Sequence, residues 1–325
     1  MPDISVVLPT YNEADVIQDA LDGLVDQTFC DFEVVVVDDG STDGTVDIVA
    51  SENRLDITLV ERSESGLPSA LNRGIREADG EYIARQDADD RSHPKRFERQ
   101  TEILREDKST ALLGTGAILE YADGRRSRRH VLESVTRDQL LTGNRLIHGS
   151  VLMRRCVVEH IGKYDEDFQY TEDYDLWLRI VENHSIKNIN EPLYRLRMRD
   201  SSIYGSALKD VLLHGQFARL RATGKTTEQQ QSIFSDDDMD RLYQQLSKQQ
   251  KCNIHTSLLL EHIRYGNNGA ARAEAKEAIK LGISATTLLL LIMSYAPRAA
   301  QRFVLFIARF IKNSWVMYQN VSSTG

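Results

Sequence analysis

The chain has 325 residues, 41% hydrophobic and 27% charged, a balance that supports a packed core and excludes an intrinsically disordered chain. Forty basic against 49 acidic residues leave a net charge of −9, which excludes a globally basic surface and gives no expectation of nucleic-acid binding. Three cysteines, Cys30, Cys156 and Cys252, lie far apart with no CxxC pair, so buried, reduced thiols are expected rather than a zinc ribbon or a disulfide framework.

Along the chain, β-branched runs without alternation at Ile4–Leu8, Glu33–Val37, Ile57–Val60 and Tyr82–Ala84 predict buried strands of a parallel sheet. Between the first two, Val16, Ile17, Ala20, Leu21, Leu24 and Val25 fall at helical spacing; Thr45–Ala50 and Ser69–Ala78 fill the next gaps. This alternation predicts an α/β sandwich with crossover helices, in which ligands sit at the carboxyl ends of strands. A helix over His93–Glu106 follows, with His93-Pro94 at its start. Leu112–Tyr121 and Arg125–Val131 flank Ala122-Asp123-Gly124 as a hairpin, and Val151–Arg154 is a strand. A helix marked by Tyr174, Leu176, Trp177, Ile180 and Val181 precedes two short strands, Ile186–Ile189 and Leu193–Met198. Helical patterns dominate from Ala207, interrupted by polar stretches at Thr223–Gln231 and Ser235–Asp238, and Ala270–Leu281 with Ser284–Ser294 reads as a helix pair.

Acidic residues gather in three places. Asp38-Asp39-Gly40-Ser41-Thr42-Asp43-Gly44-Thr45 directly follows a β run; its glycines permit a tight turn and its Ser, Thr and Asp can cap the next helix. Two carboxylates at a buried strand end are costly unless paired, so a bound polar group explains Asp38 and Asp39 better than a plain connection. Arg85-Gln86-Asp87-Ala88-Asp89-Asp90 closes another strand. In an extended segment Asp87 and Asp89 share a face and could hold a hard cation, Mn2+ or Mg2+, with phosphate oxygens completing its shell; a solvated acidic loop is the alternative. Finally, Thr171-Glu172-Asp173-Tyr174-Asp175 opens an amphipathic helix, where acidic residues either complement the helix dipole or hold a general base rigidly.

Together, Val6-Val7-Leu8-Pro9-Thr10-Tyr11-Asn12-Glu13, Asp38–Thr45, Gly66–Gly74, Asp87-Ala88-Asp89-Asp90 and Glu172-Asp173 resemble the family 2 inverting glycosyltransferases, in order and in spacing. The resemblance implies the GT-A fold: a nucleotide-sugar-binding α/β sandwich with a mixed, mainly parallel sheet, followed here by a mainly helical C-terminal region. It implies a catalytic domain over 1–203, donor-binding in 1–91 and acceptor-binding in 92–203, with 204–325 as the helical region. Pro9, Tyr11 and Glu13 would contact the nucleoside, Asp39 would bond the base, and Asn72 would lie beside the nucleotide. Asp87 would approach the ribose or sugar, and Asp89 would ligate Mn2+ or Mg2+. Asp173 would be the catalytic base, with Glu172 beside it shaping the acceptor site and standing as the alternative base. The implied activity is metal-assisted single displacement from a nucleotide sugar, a UDP-sugar by family tendency, to a glycan or polyprenyl-phosphate-linked acceptor.

Some features depart from that pattern or lie outside it. Tyr194-Arg195-Leu196-Arg197 places Arg197 where the family often has His, and a guanidinium can clamp a diphosphate. His148 precedes the helix of the base and reads as either an acceptor-site or a structural histidine. Arg125, Arg126, Arg128, Arg129 and His130 form a basic cluster that reads as a solvated loop or as a contact for acceptor phosphate or anionic headgroups. Thr286–Ala296 is apolar, and beyond Pro297 the basic Arg298, Arg302, Arg309 and Lys312 oppose Phe303, Phe306, Ile307, Phe310 and Ile311. That pattern fits a helix lying in a membrane interface, or one packed on protein. No run of roughly 18 apolar residues and no opening signal occur, so a cytoplasmic protein, peripheral on the inner face of the membrane, is expected. A noncatalytic sugar-nucleotide-binding scaffold is the alternative of a different class. A sugar nucleotidyltransferase is disfavoured, because Pro9–Glu13 stands where a basic Gly-rich loop would be needed.

Overall fold

The computed structural model describes residues 1–63, 65–198, 208–264, 267–282 and 285–295. The chain divides into two compact units, Met1–Gly205 with Phe217–Thr226, and Ser206–Gln216 with Thr227–Gly325.

In the first unit β1 (Ile4–Thr10), β2 (Phe32–Asp38), β3 (Ile57–Glu61) and β4 (Tyr82–Arg85) alternate with α1 (Ile17–Val25), α2 (Thr45–Ser51) and α3 (Leu67–Glu77). All four strands pair in parallel, in the order β3-β2-β1-β4. The unbroken apolar runs have their reason in burial on both faces: Val34–Val37 are fully buried, and Ile17, Leu21 and Leu24 of α1 close one side of the same core. Then come β5 (Arg91–Ser92), α4 (Arg96–Glu106), β6 (Thr110–Tyr121), β7 (Arg126–Arg129), β8 (Ser134–Val135), α5 (Arg137–Leu141) and a 3-10 turn at His148–Ser150. The unit continues through β9 (Leu152–Arg154), α6 (Arg155–His160), α7 (Glu172–Ile180) and β10 (Ser185–Met198). Antiparallel β9 joins β4 to β6, and β6 pairs in parallel with β10, so the sheet is mixed. The sequence expectation of an α/β sandwich with a mainly parallel sheet is met.

Several details differ from the sequence reading. The two short strands expected around residues 186–198 are one strand, β10, broken in register on either side of Pro192. Proline has no N–H to give the ladder, so the strand bulges there and continues. Helix α4 begins at Arg96 rather than His93, because Arg91 and Ser92 first pair with β10 and His93 closes a turn onto the Arg96 N–H. Cys30 and Cys156 are exposed rather than buried; Cys252 is buried, and all three are free.

The second unit is helical. Helix α8 (Leu208–Ala222) gives its residues from Phe217 to the first unit, and α9 (Glu228–Ser235), α10 (Met239–Gln245), α11 (Lys248–Arg264), α12 (Asn268–Leu281) and α13 (Ala285–Met293) follow. Helix α9 starts inside the expected polar interruption, because Thr227 and Gln230 form a reciprocal capping box. Leu259, Ile263, Ala271, Ala275 and Leu290 make a separate core. Among the described residues no helix is long and apolar enough to cross a membrane. The basic and aromatic pattern beyond Pro297 lies outside the described residues.

Candidate active site

Three loops meet at the carboxyl end of the parallel strands. The first follows β1. Asn12 takes a left-handed conformation (φ 53°), which its short polar side chain tolerates, and its Oδ1 accepts from the Thr42 N–H at 2.8 Å. The Asn12 and Glu13 N–H groups donate to Ser41 Oγ and Thr45 Oγ1, each at 2.9 Å, so this loop is stitched to the Asp38–Thr45 loop. Tyr11 is exposed and Glu13 half-buried, whereas Pro9 lies within β1 and is buried rather than in the loop.

Asp38 and Asp39 each take hydrogen bonds from the surrounding loops. The Asp38 carboxylate accepts from the Gly40 and Ser41 N–H groups (3.2 and 2.9 Å) and from Ser41 Oγ (2.5 Å), with Gly40 at φ 93° completing a turn that a side chain would strain. Asp39 accepts from the Ser65 and Gly66 N–H groups, the latter at 2.8 Å, which fixes the entrance to α3. The two buried carboxylates thus accept hydrogen bonds from the chain itself, so their burial does not by itself require a bound polar group. Asn72 is also committed: its amide donates to the Tyr164 carbonyl (2.9 Å) and Glu166 Oε1 (3.0 Å), and its oxygen accepts from the Tyr164 N–H (3.0 Å).

The segment after β4 is a turn, not the extended stretch expected for Asp87 and Asp89, because the Asp90 N–H folds back to the Asp87 carbonyl at 3.3 Å. Beneath it Arg85, fully buried, points Nη2 at Asp87 Oδ1 (2.7 Å). Tyr194 Oη accepts from the Asp87 N–H at 3.1 Å and donates to the Asp90 carboxylate. The Arg197 N–H reaches Asp90 Oδ1 at 2.8 Å, and its guanidinium is held by Asp19 (3.0 Å). Burial, with the charges of Asp87 and Asp89, pushes the Asp90 carboxyl well above its usual range.

Across from this turn, α7 opens with Glu172 and Asp173. Asp173 is half-buried; its Oδ2 accepts from Asn144 Nδ2 at 2.7 Å. Burial raises its pKa, against the lowering pull of that hydrogen bond. Glu172 is buried, and burial together with the Asp173 charge pushes it up to about 8. His148 stands between the parts: Nε2 is 2.9 Å from Tyr164 Oη, and Nδ1 is 3.5 Å from Glu172 Oε1. Burial, reinforced by the Arg85 charge, holds the imidazole neutral. Next to it, a Cβ on Gly149 would fall 2.2 Å from Tyr194 Oη and 2.3 Å from Asp87 Oδ2, so only glycine lets this segment close on the acidic turn. The charge of Asp87 is felt at both Glu172 and Asp173.

Arg85, Asn144, Gly149 and Tyr164 were missed as site residues in the sequence. Arg85 carried a signal, a cation inside a buried strand run; Asn144, between Gly143 and Arg145, carried none. Among the described residues, no three His, Cys, Asp or Glu side chains converge in a way that could hold a metal ion.

The titrations give a pH test. Glu172 binds its proton more tightly when folded, so its contribution makes stability fall as pH rises from 4.5 to about 8. His148, held neutral, has the opposite slope but only below 6.5, where the unfolded chain gains a proton. The window from pH 6.5 to 8 therefore excludes His148, and since Asp90 and Asp173 are raised as well, the comparison with Glu172→Gln is what singles out Glu172. Over it the melting temperature of the wild type should fall more steeply than that of Glu172→Gln, and equal slopes would refute the buried, protonated Glu172.

Comparison with known proteins gives the same assignment from several directions. Residues 5–162 match the model of Glycosyl transferase family 2. A Rickettsia typhi protein named as an uncharacterized glycosyltransferase is 31% identical over 223 residues, 65% of this chain and 68% of that protein. Two solved structures share the fold. S. aureus TarS 1-349, in complex with UDP-GlcNAc, has a TM-score of 0.57 at 19% identity, over 92% of this chain and 91% of that one. The mannosyltransferase PcManGT from Pyrobaculum calidifontis, in complex with GDP-Man and Mn2+, has a TM-score of 0.56 at 20% identity, over 97% and 87%. The strand order, the three acidic loops and these likenesses converge: the chain has the GT-A fold and belongs to the family 2 glycosyltransferases.

Proposed function

We propose that the chain transfers a sugar from a nucleotide sugar, a UDP-sugar, to a glycan or polyprenyl-phosphate-linked acceptor, with inversion at the anomeric carbon. The observation that carries this reading is the meeting of Asp87, at the end of β4, with Glu172 and Asp173, at the start of α7, across Gly149. Asp173 takes the proton of the acceptor hydroxyl. The acceptor oxygen then bonds the anomeric carbon as that carbon's bond to the diphosphate breaks, and the nucleoside diphosphate leaves. Asn144 aligns the base, and Glu172, protonated at neutral pH, shapes the acceptor site. Tyr11, Glu13 and Asp39 line the nucleoside side, with Asp39 fixed by Ser65 and Gly66. Pro9 and Asn72 serve that side as backing, through β1 and through Tyr164, and Asp87 is aimed at the ribose or sugar by Arg85.

The acidic turn offers oxygen donors of the kind a divalent cation takes: Asp87, Asp89 and Asp90 lie on one turn, where burial and the charges of Asp87 and Asp89 raise Asp90. With no convergent protein cage among the described residues, Mn2+ or Mg2+ would be held by Asp89, with diphosphate and water completing the shell. When bound, such a cation stabilises negative charge on a leaving diphosphate.

Asp173→Asn should keep donor binding and lower transfer by roughly 10²–10⁴-fold; transfer at the normal rate would move the base to Glu172. In calorimetric titrations with UDP and GDP, with and without Mn2+, UDP binding should strengthen with the metal, and Asp89→Ala should abolish that gain. An unchanged metal response would remove Asp89 as the ligand.

Peripheral attachment to a membrane, on its cytoplasmic face, completes the proposal. Leu288, Leu289, Ile292 and Tyr295 of and after α13 are exposed, and the basic and aromatic pattern over residues 298–318 follows. The chain should sediment with phosphatidylglycerol vesicles and lose most of that binding in Phe306→Glu/Phe310→Glu. Sedimentation equal to the wild type's would refute attachment through this segment.

A further inference from the structure

A set of ion pairs beside the base helix is not used by the chemistry above, and one of its members comes from α8. Asp175, buried in α7, accepts from Arg179 Nε at 2.8 Å and from Arg221 Nη2. Arg179 donates onward to the carbonyls of Ile161 (2.7 Å) and Lys163 (2.6 Å). Arg221 Nη1 reaches Asp165 Oδ2 at 2.5 Å, and its guanidinium lies 4.5 Å from the centre of the Phe168 ring. Phe217, one turn earlier on α8, meets the same ring at 6.1 Å between centroids. Residues 161–168 are thus gripped at both ends.

Between those ends sits Tyr164, the residue that reaches His148 and, through it, faces Glu172. Lys163 is left-handed (φ 60°), a conformation that costs a lysine free energy, so this path needs the bonds that hold it. A buried ion-pair group of this kind adds little net stability over an apolar replacement. What it fixes is geometry. The match to the family model ends at residue 162, before α7 and before Arg221.

We infer that Arg221 is a positioning residue for the Glu172–Asp173 pair, acting through Asp175 on α7 and through Asp165 on the loop that brings Tyr164 to His148. The rate arm of its test rests on the transfer reading; the exchange arm does not. In the full chain, Arg221→Met should raise amide hydrogen exchange of residues 161–168 and 172–175, and Asp165→Asn that of residues 161–168, about tenfold, leaving the 38–45 loop unchanged. In the transfer assay each should lower kcat by on the order of ten- to a hundredfold with the donor KM unchanged. The double variant should fall no lower than Arg221→Met, and Arg221→Lys should recover part of the rate. If Arg221→Met does not fold, Asp165→Asn carries the test, since it leaves Asp175 paired. Exchange equal to the wild type's, at 172–175 in Arg221→Met or at 161–168 in Asp165→Asn, overturns the inference, as does a kcat loss matched by an equal rise in donor KM. A wild type without transfer activity refutes the reading of the site instead, and the exchange result then decides this inference alone.

Discussion

Two guanidinium groups buried beneath the acidic turn set the conditions for everything above them. Arg85 and Arg96 are almost wholly removed from solvent, where an unsatisfied cation costs several kcal/mol. Arg96 meets that cost without a carboxylate. It donates to the carbonyls of Arg85 and Val151 and to Ser92 and Gln100, and it lies 5.2 Å from the ring centres of both Phe97 and Tyr194. Burial lowers its pKa to about 10, so it stays charged at neutral pH. Its bonds tie the end of β4 to the entry of β9 and so bring the His148–Ser150 turn under the same roof. Arg85 is then free to spend its charge on Asp87. The path of residues 86–90 leaves the β1 ladder after the Gln86 N–H bonds the Val7 carbonyl, and is then held by Arg85, Tyr194 and the Arg197 N–H.

That dependence explains what the sequence could and could not reveal. The parallel strands were legible because burial on both faces leaves unbroken apolar runs such as Val34–Val37, and α7 was legible from Tyr174, Leu176, Trp177 and Ile180. The three acidic loops stood out as residue types at strand and helix ends. Their inner organisation did not. Whether Asp87 and Asp89 lie in an extended segment or a turn depends on Tyr194, more than a hundred residues away, and no local pattern encodes that contact. Asp38 and Asp39 looked costly only because the N–H groups that satisfy them, from Gly40, Ser41, Ser65 and Gly66, are supplied by loop geometry. Gly149 carries no local pattern of its own, since its meaning arises only where the fold sets it against Asp87 and Tyr194.

The unequal surroundings of Glu172 and Asp173 bear on which of them accepts the proton. They are neighbours in sequence, and burial raises both. Glu172 has in addition its neighbour's charge, which with burial outweighs a backbone hydrogen bond and the Arg85 charge, and faces a histidine kept neutral by the same burial. It therefore retains its proton through neutral pH and cannot take another. Asp173 keeps a direct amide donor in Asn144 and partial access to solvent, which favour its anion against the raising effect of burial. Two adjacent carboxylates are thus held differently by their surroundings, which is why the base role in the proposed transfer falls to Asp173 rather than Glu172. Under the proposed transfer, the proton on Glu172 would also limit the negative charge beside Asp173, so that charge developing on a departing diphosphate would meet less repulsion from the start of α7.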